Sequence, residues 1–279
     1  MPRFIALLLS TSLLVPPGSI AWGQAAPATE TNLMISARRI ELGGSKRSSE
    51  LFLMNPSSKR HTYRITVNYR DMDAQGDTVE RQAPKQGERP WTDLLRFSPR
   101  QITLGAGQSQ TVRVAAMKPA DLPPGEYRYH LTVAEMPEPA PAAQDETKEG
   151  LRITVSPLFG VTIPVIFRNG DLKAISDLAE LVFQPAATNK KAALTFWLTR
   201  SGEASSYGHL KATFTPAVGA EETVAELKGI AVYTNLARRA MTLPLERPGA
   251  KPFGPGRLHL TFTPEGARRA EAQADLVLR

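Results

Sequence analysis

Apolar side chains recur at every second position from Leu151 to Arg168, the stretch LRITVSPLFGVTIPVIFR. The odd positions hold Leu151, Ile153, Val155, Pro157, Phe159, Val161, Ile163, Val165 and Phe167. The even ones hold Arg152, Thr154, Ser156, Gly160, Thr162, Pro164 and Arg168, with Leu158 and Ile166 as exceptions. A period of two marks a strand with one buried face. Ordinary strands run about 5–6 residues, so this reads as one strand about three times that length, or as two joined at Pro157 or Gly160. A single strand that long leaves its own domain's core and offers part of its apolar face to something else.

The rest of the chain is punctuated in the same style. Leu33 to Leu42 predicts a short strand that places Arg38 and Arg39 on opposite faces. Glu50 to Met54 predicts another, ended by Asn55-Pro56-Ser57-Ser58, which is strong turn chemistry. Tyr63, Ile65, Val67 and Tyr69 alternate with polar residues, and Leu95–Leu104 and Gln110–Met117 read as strands around a Gly105-Ala106-Gly107 turn. Tyr127, Tyr129, Leu131 and Val133 alternate with Arg128, His130 and Thr132. Val79 to Trp91 is polar and reads as a loop, as does the Pro/Ala-rich run Pro137 to Gly150. Beyond Asn169-Gly170-Asp171 come further short alternating runs separated by turns, enough for a second sandwich. The pattern predicts an all-β protein.

Composition narrows the setting. The chain has 279 residues, 42% of them hydrophobic, so one to two domains with real cores are expected. Arg3 followed by the apolar run Phe4 to Val15, with small residues around Ala21 to Ala25, reads as a secretory signal peptide over residues 1–25. The run is too short to span a bilayer, and no later stretch reaches that length, so no transmembrane segment is expected in the mature chain. Export without a single cysteine means stability from cores and not from disulfides. The net charge of +7 is a mild basic excess without a Lys/Arg block, and export argues against nucleic acid.

Candidate chemistry is sparse. His61, His130, His209 and His259 are isolated, with no metal-ligand spacing. His130 lies on the polar side of its strand and reads as solvated. There is no nucleophile elbow and no phosphate-binding glycine loop. The carboxylates are scattered, with Asp71, Asp73, Glu221 and Glu222 at turns or surfaces, and nothing selects a catalytic pair; an exported β-sandwich hydrolase, tested at Asp71 and Asp73, is a second alternative. No catalytic residue, cofactor or metal is expected, and the chain reads as a non-enzyme.

Several stretches in order resemble the periplasmic pilus-assembly chaperones, the PapD-like family. Arg39 in a first strand, Leu51-Phe52-Leu53-Met54-Asn55 with Tyr63-Arg64, the run FSPRQITLGAGQSQTVRV, GEYRYHLTV and VTIPVIFRNG carry the resemblance. It covers roughly Leu33 to Gly170; the C-terminal half matches in size and β character only. The form VTIPVIFR and the absence of cysteine resemble the divergent, "archaic" branch.

The resemblance implies two immunoglobulin-like β-sandwich domains at an angle with a cleft between them: residues 26–168, with a long donor strand 151–168, and residues 169–279. It implies a periplasmic protein that caps pilus subunits by donor-strand complementation and delivers them to an outer-membrane usher. On that basis Ile153, Val155, Phe159, Val161, Ile163 and Val165 are the expected subunit-binding positions, and Arg39 the expected anchor for a subunit carboxylate. The family's second anchor, a lysine, falls at Pro164, so half of the anchor is missing from its usual place. Arg100, Arg113, Arg128 and Arg168 are the candidates to replace it. The alternative is a secreted two-domain β-sandwich adhesin or structural surface protein.

Overall fold

A computed structural model describes residues 32–137 and 158–279. The expected signal peptide, the loop 138–150 and the first part of the alternating stretch, Ile153 and Val155 included, lie outside the described residues.

The first half contains ten strands, β1 (Met34–Ile35), β2 (Ile40–Gly43), β3 (Ser48–Met54), β4 (His61–Met72), β5 (Thr78–Arg81), β6 (Leu95–Ser98), β7 (Gln101–Leu104), β8 (Ser109–Ala116), β9 (Gly125–Glu135) and β10 (Gly160–Asn169), and one helical turn, α1 (Trp91–Leu94). They form two sheets, β1-β3-β8-β6 and β2-β10-β9-β4-β5, with β7 also paired to β4. The second half contains β11 (Ala174–Gln184), β12 (Ala193–Gly202), β13 (Ser206–Pro216), β14 (Glu222–Val232), β15 (Arg238–Pro244), β16 (Gly256–Pro264) and β17 (Ala272–Leu278). Its sheets run β11-β12-β15 and β14-β13-β16-β17.

Each pair of sheets closes on its own apolar core. One collects Ile40, Leu51, Leu53, Tyr63, Tyr129 and Leu131 among others. The other collects Leu194, Phe196, Leu210, Phe214, Leu260 and Phe262. The protein is therefore all-β, with two immunoglobulin-like sandwiches. Alternation explains the inward faces: in β3, Leu51 and Leu53 are buried while Glu50, Phe52 and Met54 are exposed. The predicted turn after β3 is held by Asn55, whose amide nitrogen donates to Lys59 O (2.6 Å) and Leu104 O (3.1 Å) while Oδ1 accepts from the Ser57 N–H (3.0 Å).

Three local expectations change. Leu33–Leu42 is divided into β1 and β2, and Leu95–Leu104 into β6 and β7, so each joins two different sheets. The expected loop Val79–Trp91 begins as β5, whose Arg81 and neighbour Lys85 both meet Asp71, at 3.0 and 2.8 Å. Charge pairing, and not an apolar face, holds that edge, which is why hydrophobic periodicity gave no sign of it.

β10 lies between β9, antiparallel to it from Gly160 to Asn169, and β2, parallel to it only from Val165 to Arg168. Gly43 is opposite Arg168 with φ 142°, and a Cβ there would lie 2.4 Å from the Arg168 carbonyl oxygen. Only glycine allows this close approach.

Candidate functional site

The odd positions of β9 and β10, including Tyr129, Leu131, Val133, Ile163, Val165 and Phe167, fill the first core. Alternation sends the even ones the other way, and there the second sandwich meets them. Glu126 has a fully buried side chain. Its Oε2 accepts from Arg168 Nε (3.1 Å) and from the N–H and hydroxyl of Ser205 (both 2.9 Å). Arg128 stacks over Tyr233 at 4.0 Å and donates to Thr234 Oγ1 and Asn235 Oδ1, both at 3.2 Å. Asn235 in turn donates to Met72 O (2.8 Å). Burial holds the Arg128 guanidinium below the usual arginine range.

His130 corrects the sequence reading most sharply. It is 2% exposed, sits 6.0 Å from the Tyr233 ring, and neither ring nitrogen has a hydrogen-bond partner among the described residues. Burial, helped by Arg128 and Arg70 and opposed by Asp71, pushes its pKa down to about 3. The group is therefore neutral in the folded protein and ordinary in the unfolded chain. Its folded pKa is depressed, so stability is complete above about pH 6.5 and falls as pH drops toward about 3. The slope from this one group is about 1.4 kcal/mol per pH unit. A His130→Leu variant should lose that component: melting temperatures followed from pH 7 to pH 4 should fall less steeply than in the parent. Parallel curves would show that His130 becomes charged without cost.

Arg39 lies where β2 begins. Its side chain is 8% exposed and its guanidinium stacks 4.1 Å above the Tyr207 ring of the second sandwich. Nη2 forms an ion pair with Glu41 without hydrogen-bond geometry, while Nε and Nη1 have no partner among the described residues. Ile40 pairs with Val165, so Arg39 stands beside Pro164. Arg39 borders two cavities between the sandwiches. One, of about 540 Å³, is lined by Arg38, Arg39, Lys46 and Arg168 and by Glu41, Glu265 and Glu271. The other, of about 290 Å³, opens on the Pro164 side.

The remaining expected positions separate. Phe159 and Val161 are half-buried. Val161 packs against the first core, and Phe159 is not part of it. Ile163 (4% exposed) and Val165 (0%) belong to that core, so their apolar side is not a free face as the alternation alone suggested. A period of two identifies a buried face without saying which core it fills. Of the four candidate cations, Arg128 is engaged as above, and Arg100 lies 5.5 Å from the Phe97 ring. Arg113 is in β8, in the other sheet. Arg168 lines the larger cavity but is committed to Glu126 and, at 3.6 Å, to Glu41.

The main chain of β10 is the other half of the site. Phe159 O accepts from the Glu135 N–H (2.8 Å), which makes the odd residues the hydrogen-bonded partners of β9. The N–H and C=O groups of Gly160 and Thr162, and the C=O of Pro164, therefore point to the opposite edge. Among the described residues no strand covers that edge before Val165. Proline belongs on such an edge, where no ladder donor is needed.

No group of histidine and carboxylate side chains among the described residues could hold a metal ion. Asp71 is tied to Arg81 and Lys85. Asp73 accepts the N–H groups of Gln75 (3.0 Å) and Asp77 (2.9 Å) as the cap of a turn. No helix among the described residues is long and apolar enough to cross a membrane.

The Fn3-like domain family model matches residues 40–131. No curated protein sequence matches the chain. Similar solved structures include the Class 5 fimbriae chaperone CfaA, 13% identical, covering 89% of this chain and 99% of that one, with a TM-score of 0.45. The archaic CsuC–CsuE chaperone–tip adhesion subunit complex of Acinetobacter baumannii gives 13% identity over 89% and 98%, at 0.44. The CupB2 chaperone of Pseudomonas aeruginosa gives 12% over 88% and 100%, at 0.43.

Proposed function

We propose that this chain is a periplasmic chaperone that receives pilus subunits on β10, caps them and hands them to an outer-membrane usher. The observation that carries the reading is the open edge from Gly160 to Pro164, which ends beside a buried, incompletely partnered Arg39. An incoming strand parallel to β10 would exchange hydrogen bonds with Gly160 and Thr162, donate one to the Pro164 carbonyl, lie in line with β2, and stop where β2 starts. Its C-terminal carboxylate would then face Arg39. A subunit lacking one strand has the matching defect, an open groove and unpaired edge groups that invite aggregation. Residues 1–25 serve as the export signal, 26–168 as the subunit-binding domain and 169–279 as its companion. Phe159 and Val161, with Ile153 and Val155 upstream, fill the subunit's groove, while Ile163 and Val165 root the strand in its own core. No cofactor or nucleotide takes part.

The test is expression of the tagged chain with export to the periplasm of its own host, followed by recovery and mass identification of the partner. A one-to-one complex is expected. Arg39→Ala should lower its yield roughly tenfold with little change in melting, since a charge-assisted hydrogen bond contributes about 1.5–3 kcal/mol. A tagged chain that always returns alone would sink the reading.

A further inference from the structure

We propose that Lys228, on β14 of the second sandwich, supplies the second cation of the carboxylate site, opposite the position where Pro164 leaves β10 without one. The inference deepens the chaperone reading and rests on it for the identity of the ligand, a peptide C-terminal carboxylate.

The two cavities that Arg39 borders differ in charge. The larger balances its cations with three carboxylates. The smaller, about 290 Å³, is lined by Arg38, Arg39, Lys228 and Arg239 together with Pro164 and Tyr207, and no aspartate or glutamate lines it. Four cations around one space repel one another, which favours an anion there. Arg39 brings buried N–H donors with no acceptor, an arrangement costly unless something accepts from them.

The four cations are not equivalent. Arg239 donates from Nη1 to Ala231 O (3.0 Å) and from Nε to Gln75 O (3.3 Å), and burial lowers its pKa. Arg38 is exposed and borders both cavities, so it does not distinguish them. Lys228 borders only the Pro164 side and is exposed, with no ion pair or side-chain hydrogen bond among the described residues. Its backbone setting is unusual as well. His209 pairs with Lys228 and Gly208 with Ile230, leaving Gly229, at φ 75°, as the extra residue of a bulge. Bulges re-aim the neighbouring side chain. A lysine serves here as a mobile point charge that closes on the anion after the strand has docked.

The experiment uses the full mature chain and two synthetic probes, a short alternating Val/Thr peptide with a free C-terminal carboxylate and the same peptide amidated. The parent should bind the acid about tenfold more tightly than the amide, with the preference shrinking as salt rises. Lys228→Gln should remove most of that preference, Lys228→Arg should keep it, and Arg38→Ala should lower it less than Lys228→Gln does. Melting curves confirm that each variant is folded. If Arg39→Ala abolishes the preference while Lys228→Gln behaves as the parent, Lys228 is not the second cation and the chaperone reading stands. Loss on Arg38→Ala alone transfers the role to Arg38. If the parent shows no preference, the carboxylate site fails for Arg39 and Lys228 together.

Discussion

Replacing Phe159 by aspartate is expected to abolish recovery of a subunit complex while leaving the chain folded. Phe159 is half-buried and stands outside the first core. Its hold on the protein is through the main chain, where its carbonyl accepts from the Glu135 N–H. The side chain can therefore change with little effect on the sandwich. In the complex its burial would contribute about 1.5–3 kcal/mol, and an unpaired charge in an apolar groove would cost several kcal/mol more. Val161→Asp should abolish capture too, but it packs on the first core and should lower the melting temperature as well. Thr162→Asp, on the other side of the strand, should interfere less with the groove. The measurement is complex yield from periplasm beside a melting curve. Folded Phe159→Asp protein that captures subunit at the parent's yield would mean that β10 is not donated.

Glu126→Ala is expected to cost about 3–5 kcal/mol, the usual penalty for removing one partner of a buried ion pair. The carboxylate is fully buried and serves three donors, Arg168 Nε on the neighbouring strand and, across the junction, the N–H and hydroxyl of Ser205, while Arg128 Nη1 lies 3.6 Å from its other oxygen. Alanine leaves the Ser205 N–H without its acceptor and the largely buried Arg128 without its nearest counter-charge. Because the two lost Ser205 contacts join the sandwiches, denaturant unfolding should also separate into two steps where the parent shows one. A variant that unfolds within about 1 kcal/mol of the parent would mean that water replaces the carboxylate at no great cost, as at a surface pair.

Much of the fold was legible from local chemistry. The turn at Asn55-Pro56-Ser57 and the inward residues of β3, β4 and β9 follow from side-chain alternation and turn chemistry, which are short-range effects. The edge strand β5 was not legible, since it is held by Asp71, Arg81 and Lys85 and shows no apolar face. In the site, Arg39 was reached through its family resemblance. Glu126, Ser205, Lys228 and Tyr207 had no signal of their own, because each acquires its role from a residue in the other sandwich.

What the sequence determined by itself is which side chains share a face. Tyr129, Leu131 and Val133 are on one side of β9, and Glu126, Arg128 and His130 on the other, because successive Cβ atoms must alternate. Only the tertiary structure decided what each face meets. The polar side of β9, which reads as solvated, is the seam with the second sandwich and keeps His130 dry. The apolar side of β10, which reads as a surface for a partner, is taken by the first core at Ile163 and Val165. The edge that no described strand covers before Val165 depends on where β2 begins, a pairing between residues more than a hundred positions apart. Alternation is a property of one strand, and its neighbours are chosen by long-range packing.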